Sequence, residues 1–162
     1  MLCARCKQRK PANATRQLCA RCFTTVIEKA IIREYKQLGV HRRQIVLKKA
    51  NSAEYHVLRH VLAKTFPYAK IKVGKQGMSA LSLEDYAAAF INSFFFNKPS
   101  RLAESPLKSV MYSECCQYAR IKGLKFPLEK QDEIREFLAA IEKRRKGSCF
   151  ALLASIKASR KR

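Results

Sequence analysis

Acidic residues are scarce in this chain. Its 162 residues include 12 Asp and Glu against 34 Lys and Arg, a formal net charge of +22. A charge that large repels itself unless a polyanion neutralises it. Nucleic acid is the first partner expected and an acidic membrane surface the second; general solubility of an exposed surface is the ordinary reading. Long apolar runs are missing too. The longest, Ala87 to Phe96, is interrupted by Asn92 and Ser93 and falls well short of the roughly 20 residues that cross a bilayer. No membrane span is expected. Cys3 and Cys6 sit where a signal peptide would lie, and none is visible. Paired thiols without an export signal belong in a reducing compartment, which points to the cytoplasm. Histidine is limited to His41, His56 and His60. His56 and His60 have a helical metal-pair spacing but no obvious third ligand, so they read as surface or packing residues. No Ser-His-Asp arrangement can be argued from them.

What the chain does have is paired cysteine. Cys3-Ala-Arg-Cys6 and Cys19-Ala-Arg-Cys22 are two Cys-x-x-Cys knuckles separated by a basic spacer, Lys7 to Leu18. Two residues between paired cysteines let one tight turn aim both sulfurs at one ion, and zinc takes four such ligands in a tetrahedron. The expectation is a structural zinc site on Cys3, Cys6, Cys19 and Cys22. Four reduced buried thiols, an iron–sulfur cluster and a redox pair are the other readings. Cys115, Cys116 and Cys149 read as buried reduced thiols, with Cys115 or Cys116 the candidate if any cysteine carries sulfur.

Hydrophobic residues make up 48% of the chain, enough for one modest core beside a small metal module. Phe23, Val26, Ile27, Ala30, Ile31, Tyr35 and Leu38 recur at helical spacing, with Glu28, Lys29, Arg33 and Lys36 opposite and Gly39 as the stop. Ile45 to Leu47 reads as a strand. Ser52 is placed to cap a helix from Ala53 to about Phe66 that buries Tyr55, Leu58, Val61 and Leu62. Tyr68 to Val73 reads as a second strand, closed by Gly74 and Gly77. Helices follow at Leu83 to Phe96 (very apolar, so expected to be central), Val110 to Ile121, Glu129 to Lys146 and Cys149 to Ile156. Asn97 to Ser100 and Gly123 stop the first two. Ile134, Phe137, Leu138 and Ile141 form the stripe of the third, and Gly147 ends it. This order describes a small α/β core with a helical C-terminal part.

The cations cluster. Lys7, Arg9 and Lys10 lie in the spacer. Arg42 and Arg43 flank the first strand with Lys48 and Lys49. Lys70 to Lys75 follow, then Lys143, Arg144, Arg145 and Lys146, and a tail from Lys157 to Arg162. Any one cluster can be a solvated face. Together, with Tyr and Phe available for stacking, they favour RNA.

The ordered set resembles the tRNA 2-thiolation proteins of the PP-loop ATP-pyrophosphatase superfamily, which make 2-thiouridine or 2-thiocytidine. The two knuckles, the following amphipathic helix, strand, loop and helix are similar to that family's start. Leu83-Glu84-Asp85-Tyr86 resembles its helix opening with paired acids. Pro106-Leu107-Lys108, Glu114 and Tyr118 to Phe126 resemble its next segment, and Glu133 to Leu138, Gly147 and Leu152-Leu153 its last helices. The resemblance implies a reduced Rossmann-like core of PP-loop (HUP) type. It implies three parts: a zinc module at 1–25, the core at 26–126, and C-terminal helices with a basic tail at 127–162.

The departures bear on activity. The family's Ser-Gly-Gly-Lys-Asp-Ser phosphate loop corresponds to about Lys49-Ala50-Asn51-Ser52-Ala53-Glu54. Both glycines are gone, and Glu54 would repel phosphate. Ala80-Leu81-Ser82 replaces the family's Gly-His-Asn. Almost nothing stands between Phe66 and Tyr68, where further strands would lie, and Leu128 to Gln131 replaces a C-terminal Cys-x-x-Cys. ATP is therefore not expected. The chain reads as a shortened, non-catalytic or accessory tRNA-binding member, with a catalytic thiolation subunit as its partner. The alternatives are an active sulfurtransferase with a partner-supplied nucleotide site, and an unrelated zinc-containing RNA- or ribosome-binding protein.

Overall fold

Apolar periodicity decides most of the architecture. A computed structural model of the chain describes residues 2–12, 16–39, 44–96, 103–127 and 133–159. Its elements run α1 (Ala20–Gln37), β1 (Gln44–Lys48), α2 (Ala53–Thr65), β2 (Lys70–Gly74), α3 (Leu83–Phe96), α4 (Tyr112–Lys122), α5 (Glu133–Arg144) and α6 (Ser148–Ser159). His41, Arg42 and Arg43, the stop at 97–100, residues 129–132 and the last three residues of the tail lie outside the described residues.

Helix α1 starts inside the second knuckle, earlier than the apolar stripe alone suggests. The Cys19 carbonyl accepts the Phe23 N–H at 2.8 Å, so a cysteine of the cluster is the first link of the helix. The chain leaves α1 through Gly39 at φ 64°, a conformation that costs glycine little. Helix α2 starts as expected: the Ser52 hydroxyl accepts the Tyr55 N–H at 3.4 Å, and Tyr55, Leu58, Val61 and Leu62 are buried.

Strands β1 and β2 are parallel, with Ile45 opposite Ile71 and Leu47 opposite Val73, and α2 is the crossover between them. A parallel pair requires such a connection. The other edge of β1 is not left open. The Met78 N–H donates to the Val46 carbonyl at 2.9 Å, and the Lys48 N–H donates to the Met78 carbonyl at 3.0 Å. The core is thus α/β, with a two-stranded sheet that Met78 extends by one bridge.

Two apolar clusters hold the helices. The larger joins Cys3, Leu18 and Cys19 to α1, β1, α2 and α4 through Phe23, Ile27, Leu58, Leu62 and Tyr118. Full burial of side chains of this size contributes roughly 1.5–3 kcal/mol each. The smaller cluster joins α3, α5 and α6 through Leu83, Ala87, Leu138 and Cys149. The C-terminal part is helical, as the periodicity indicates.

Three sequence expectations change. Glu28 does not stand on a solvated face. It accepts from the Lys64 ammonium at 2.7 Å and the Tyr118 hydroxyl at 2.8 Å, tying α1 to α2 and α4. Helix α3 is not central throughout: Leu83 and Ala87 are buried, but Ala88 to Ser93 are half-buried. Its apolar content exceeds the surface its neighbours α5 and α6 cover. Phe137 is 56% exposed while Leu138 is fully buried, so the α5 stripe is narrower than its composition suggests.

Gly77 marks the tightest approach. A Cβ there would stand 2.8 Å from the Val46 carbonyl oxygen and 2.9 Å from the Leu47 carbonyl carbon. These are backbone atoms of the sheet and cannot swing aside. Gly77→Ala is expected to destabilise by about 1–3 kcal/mol, measured by urea denaturation. An unchanged midpoint would show that this crossing is looser than its geometry.

Candidate metal centre and nucleic-acid surface

The four knuckle cysteines converge. The sulfurs of Cys3, Cys6, Cys19 and Cys22 lie within 4.8 Å of one another, and Cys6 Sγ stands 3.8 Å from Cys19 Sγ. A tetrahedral ion with bonds of about 2.3 Å needs ligand edges of about 3.8 Å. The group can hold a metal. The first knuckle turns at Lys7, φ 57°, whose N–H donates to the Cys3 carbonyl at 3.0 Å. The Cys19 N–H donates to Cys3 Sγ at 3.2 Å, a contact that orients a ligand sulfur and favours its thiolate. Backbone hydrogen bonds from Cys6 and Cys19 lower the Cys3 thiol to about 6. Burial and then the neighbouring cysteines push Cys22 up to about 12. Four thiolates this close need a cation among them.

The remaining thiols sit apart from this cluster. Cys115, Cys116 and Cys149 are buried. Burial, followed by Glu54, Glu84 and Glu114, pushes the Cys115 thiol well above its ordinary range. Burial and then Glu142 push Cys149 to about 12. Neither is poised as a thiolate nucleophile. His56 lies 3.4 Å from the Asn51 side chain, and His60 packs edge-on to Tyr118. Among the described residues the knuckle cysteines form the one group placed to hold a metal.

A second polar centre was hidden in the sequence. Glu84 and Glu114 hold the start of α4. Glu84 accepts the Tyr112 N–H at 2.7 Å, and Glu114 accepts the Met111 N–H at 3.2 Å. Asp85 accepts the Ser82 N–H at 2.7 Å. Arg135 of α5 bonds Asp85, stands 3.9 Å from Glu54 and stacks over Tyr112. The paired acids at the head of α3 therefore serve helix starts and an ion pair. Glu84 also lines a cavity of about 330 Å³ with Arg135, Leu138 and Cys149. Its carboxyl is pushed up to about 7, burial being the largest cause.

The basic clusters are distributed. Lys7, Arg9 and Lys10 are exposed on the spacer, and Lys143, Arg144, Arg145 and Lys146 around the end of α5. Lys48 and Lys49 are brought beside Lys75 at the ends of β1 and β2. The structure also brings Lys146 of the α5 cluster together with cations that no sequence cluster includes. Arg5, Arg16, Lys29, Arg33 and Lys146 line one groove. Only the i, i+4 spacing of Lys29 and Arg33 on α1 signals part of it.

No protein-family model and no curated protein matches this sequence. Among solved structures the chain is similar to the U34-tRNA thiolase NcsA from Methanococcus maripaludis, determined with its 4Fe-4S cluster. The likeness covers 98% of this chain and 86% of that one, with a TM-score of 0.73 and 10% sequence identity. The two chains share a fold. At this identity the likeness is one of fold. Among the described residues, no helix is long and apolar enough to cross a membrane.

Two predictions follow from the geometry. Cys22→Ser is expected to abolish stoichiometric metal in elemental analysis and lower the melting temperature by on the order of 10 °C or more. Retention of metal with an unchanged melt would exclude this ligand set. Glu84 concerns pH. Because its folded pKa lies above its usual 4.5, the folded state keeps a proton that the unfolded chain has lost. Its stabilising effect is fully present below that window and declines as pH rises through about 7. Glu84→Gln keeps an acceptor for the Tyr112 N–H and removes the titration. Its stability should fall less across that window than the parent's, by up to about 3 kcal/mol; parallel pH profiles would contradict the assignment.

Proposed function

We propose that this chain is a tRNA-binding accessory protein of the tRNA thiolation family, a shortened member acting in 2-thiouridine or 2-thiocytidine synthesis without nucleotide chemistry of its own. The observation that carries this reading is the start of α2. Where a phosphate would need open backbone amides, Ser52 caps the helix through the Tyr55 N–H and Glu54 is 1% exposed beside Arg135. The serine hydroxyl already takes one of those amides, and the acid in the first turn would repel an anion there. The shared fold and the +22 charge support tRNA as the partner. The high thiol pKa values of Cys115 and Cys149 argue against either as a sulfur carrier. This reading requires a separate catalytic thiolation subunit and places the protein in the cytoplasm.

The metal in this reading is structural zinc on Cys3, Cys6, Cys19 and Cys22. A cubane iron–sulfur cluster puts a separate iron behind each thiolate, so its ligands stand further apart than those around one ion. Sulfurs within 4.8 Å favour the single ion. The proposed parts are the knuckle module at 1–25, the core at 26–126 and the helices and tail at 127–162. Lys7, Arg9, Lys10, Arg42, Arg43, Lys48, Lys49 and Lys143 to Lys146 are proposed to supply phosphate contacts.

Nucleoside mass spectrometry of tRNA from cells with and without the chain tests the function. Loss of a thiolated pyrimidine without the chain is expected, restored by the full chain. In reconstitution the purified chain alone should release no AMP from ATP. Unchanged thionucleosides would remove the protein from thiolation, and AMP release by the chain alone would make it the enzyme.

A further inference from the structure

The groove between α1 and the C-terminal helices encloses about 660 Å³. Its cations come from three separate places. Arg5 and Arg16 belong to the cysteine knuckle, Lys29 and Arg33 to α1, and Lys146 to the turn between α5 and α6. Arg5, Lys29, Arg33 and Lys146 are exposed. Two acids also line it, and both are engaged by the fold. Glu114 binds Arg16 and the Met111 N–H. Glu142 accepts the Gly147 N–H at 2.6 Å and the Cys149 N–H at 3.1 Å. The groove therefore presents excess positive charge to whatever enters it.

Its other surfaces are apolar. Val26, Ala30 and Met111 contribute to the lining, and Phe150 of α6 stands on it with 39% of its surface exposed. A duplex presents its phosphates on the outside and its bases paired within, so it has no use for an apolar floor. A bilayer needs a flat or convex face. Unpaired nucleotides fit both features, because each offers a phosphate to a cation and a base face to an aromatic ring.

We propose that this groove seats an unpaired segment of RNA. Arg5, Lys29, Arg33 and Lys146 hold its phosphates, and Phe150 stacks on one base. The inference rests on the tRNA-binding reading and deepens it, since it names the recognised element and adds Arg5, Lys29 and Arg33, which lie outside the basic runs of the sequence. It also gives the cysteine centre a role in binding: the metal site fixes Arg5 and Arg16 against the far wall supplied by Lys146.

Fluorescence anisotropy tests this with the full metal-loaded chain and two probes, an unmodified tRNA and a short unstructured oligouridylate. The Lys29→Glu/Arg33→Glu variant is expected to weaken both by tenfold or more and to flatten the salt dependence, because each lost phosphate contact removes about 0.7 from the slope. Phe150→Ala is expected to weaken the oligonucleotide about tenfold while leaving the slope unchanged, a separation that a merely structural residue would not give. Circular dichroism checks that both variants fold. The comparison variant is Lys48→Glu/Lys49→Glu. If it alone weakens tRNA binding and the groove variants bind like the parent, the groove assignment is wrong while the tRNA reading stands. If the parent binds neither RNA, the tRNA reading falls and the groove with it. Binding to vesicles of anionic lipid that the groove variants abolish, with RNA binding unaffected, would reassign the groove to a membrane surface.

Discussion

The interior depends on carboxylates that the composition supplies sparingly. There are 12 acidic residues in the chain, and the structure places several where a backbone amide or a cation must be satisfied away from water. Glu84 and Glu114 hold the first amides of α4. Asp85 does the same at the head of α3, and Glu142 at the head of α6. The first amides of a helix have no partner within it, so a carboxyl oxygen there supplies the hydrogen bond, and an ionised one also answers the dipole. Glu28 ties three helices through Lys64 and Tyr118. The consequence reaches the surface. Acids turned inward leave the exterior more positive than the charge count alone implies, and a polyanion is the partner that such an exterior suits.

The cysteine centre solves a different problem. The first twenty-two residues have few apolar groups to bury: Leu2 is 55% exposed, and the spacer from Lys7 to Lys10 is exposed throughout. Backbone bonds such as Cys3 to Arg9 and Ala12 to Leu18 shape the loops, but a segment this small needs a staple. Because Cys19 is also the residue before α1, order at the metal passes directly into the helix that packs on α2 and α4. Arg16 reaching Glu114 and Gln117 reaching the Ala12 carbonyl return the knuckle to α4. The cysteine cluster, α1 and α4 thus support one another around a closed path.

Local features were legible in the sequence. Ser52 as a cap, Leu83 as the start of a helix and the two short strands all rest on spacing or on single residues with one strong preference. The doubled Cys-x-x-Cys singled out the four cysteines that converge for the same reason. What could not be read was relational. Nothing near Glu28 shows that Lys64 and Tyr118 will meet it, because those partners lie on other helices. Phe137 belongs to the same apolar stripe as Leu138, and only the width of the contact with α3 decides that one is buried and the other exposed. Arg5, Lys29 and Lys146 share a groove only because the knuckle, α1 and the α5–α6 turn come together in space.

The start of α2 differs from a phosphate loop in what meets its first amides. The β1–α2–β2 unit is held by Ile45, Leu47, Leu58 and Leu62, none of which touches the loop's chemistry. What the loop supplied to such a fold was open amides at a helix N-terminus, where the dipole stabilises an anion. Here Ser52 takes an amide and Glu54 brings the negative charge from within the chain, buried against Arg135 at 3.9 Å. A burial of this kind costs desolvation unless a cation meets it, which accounts for an arginine reaching in from α5. Through that pair α5 is linked electrostatically to the head of α2, so the C-terminal helices and the α/β core share a buried contact.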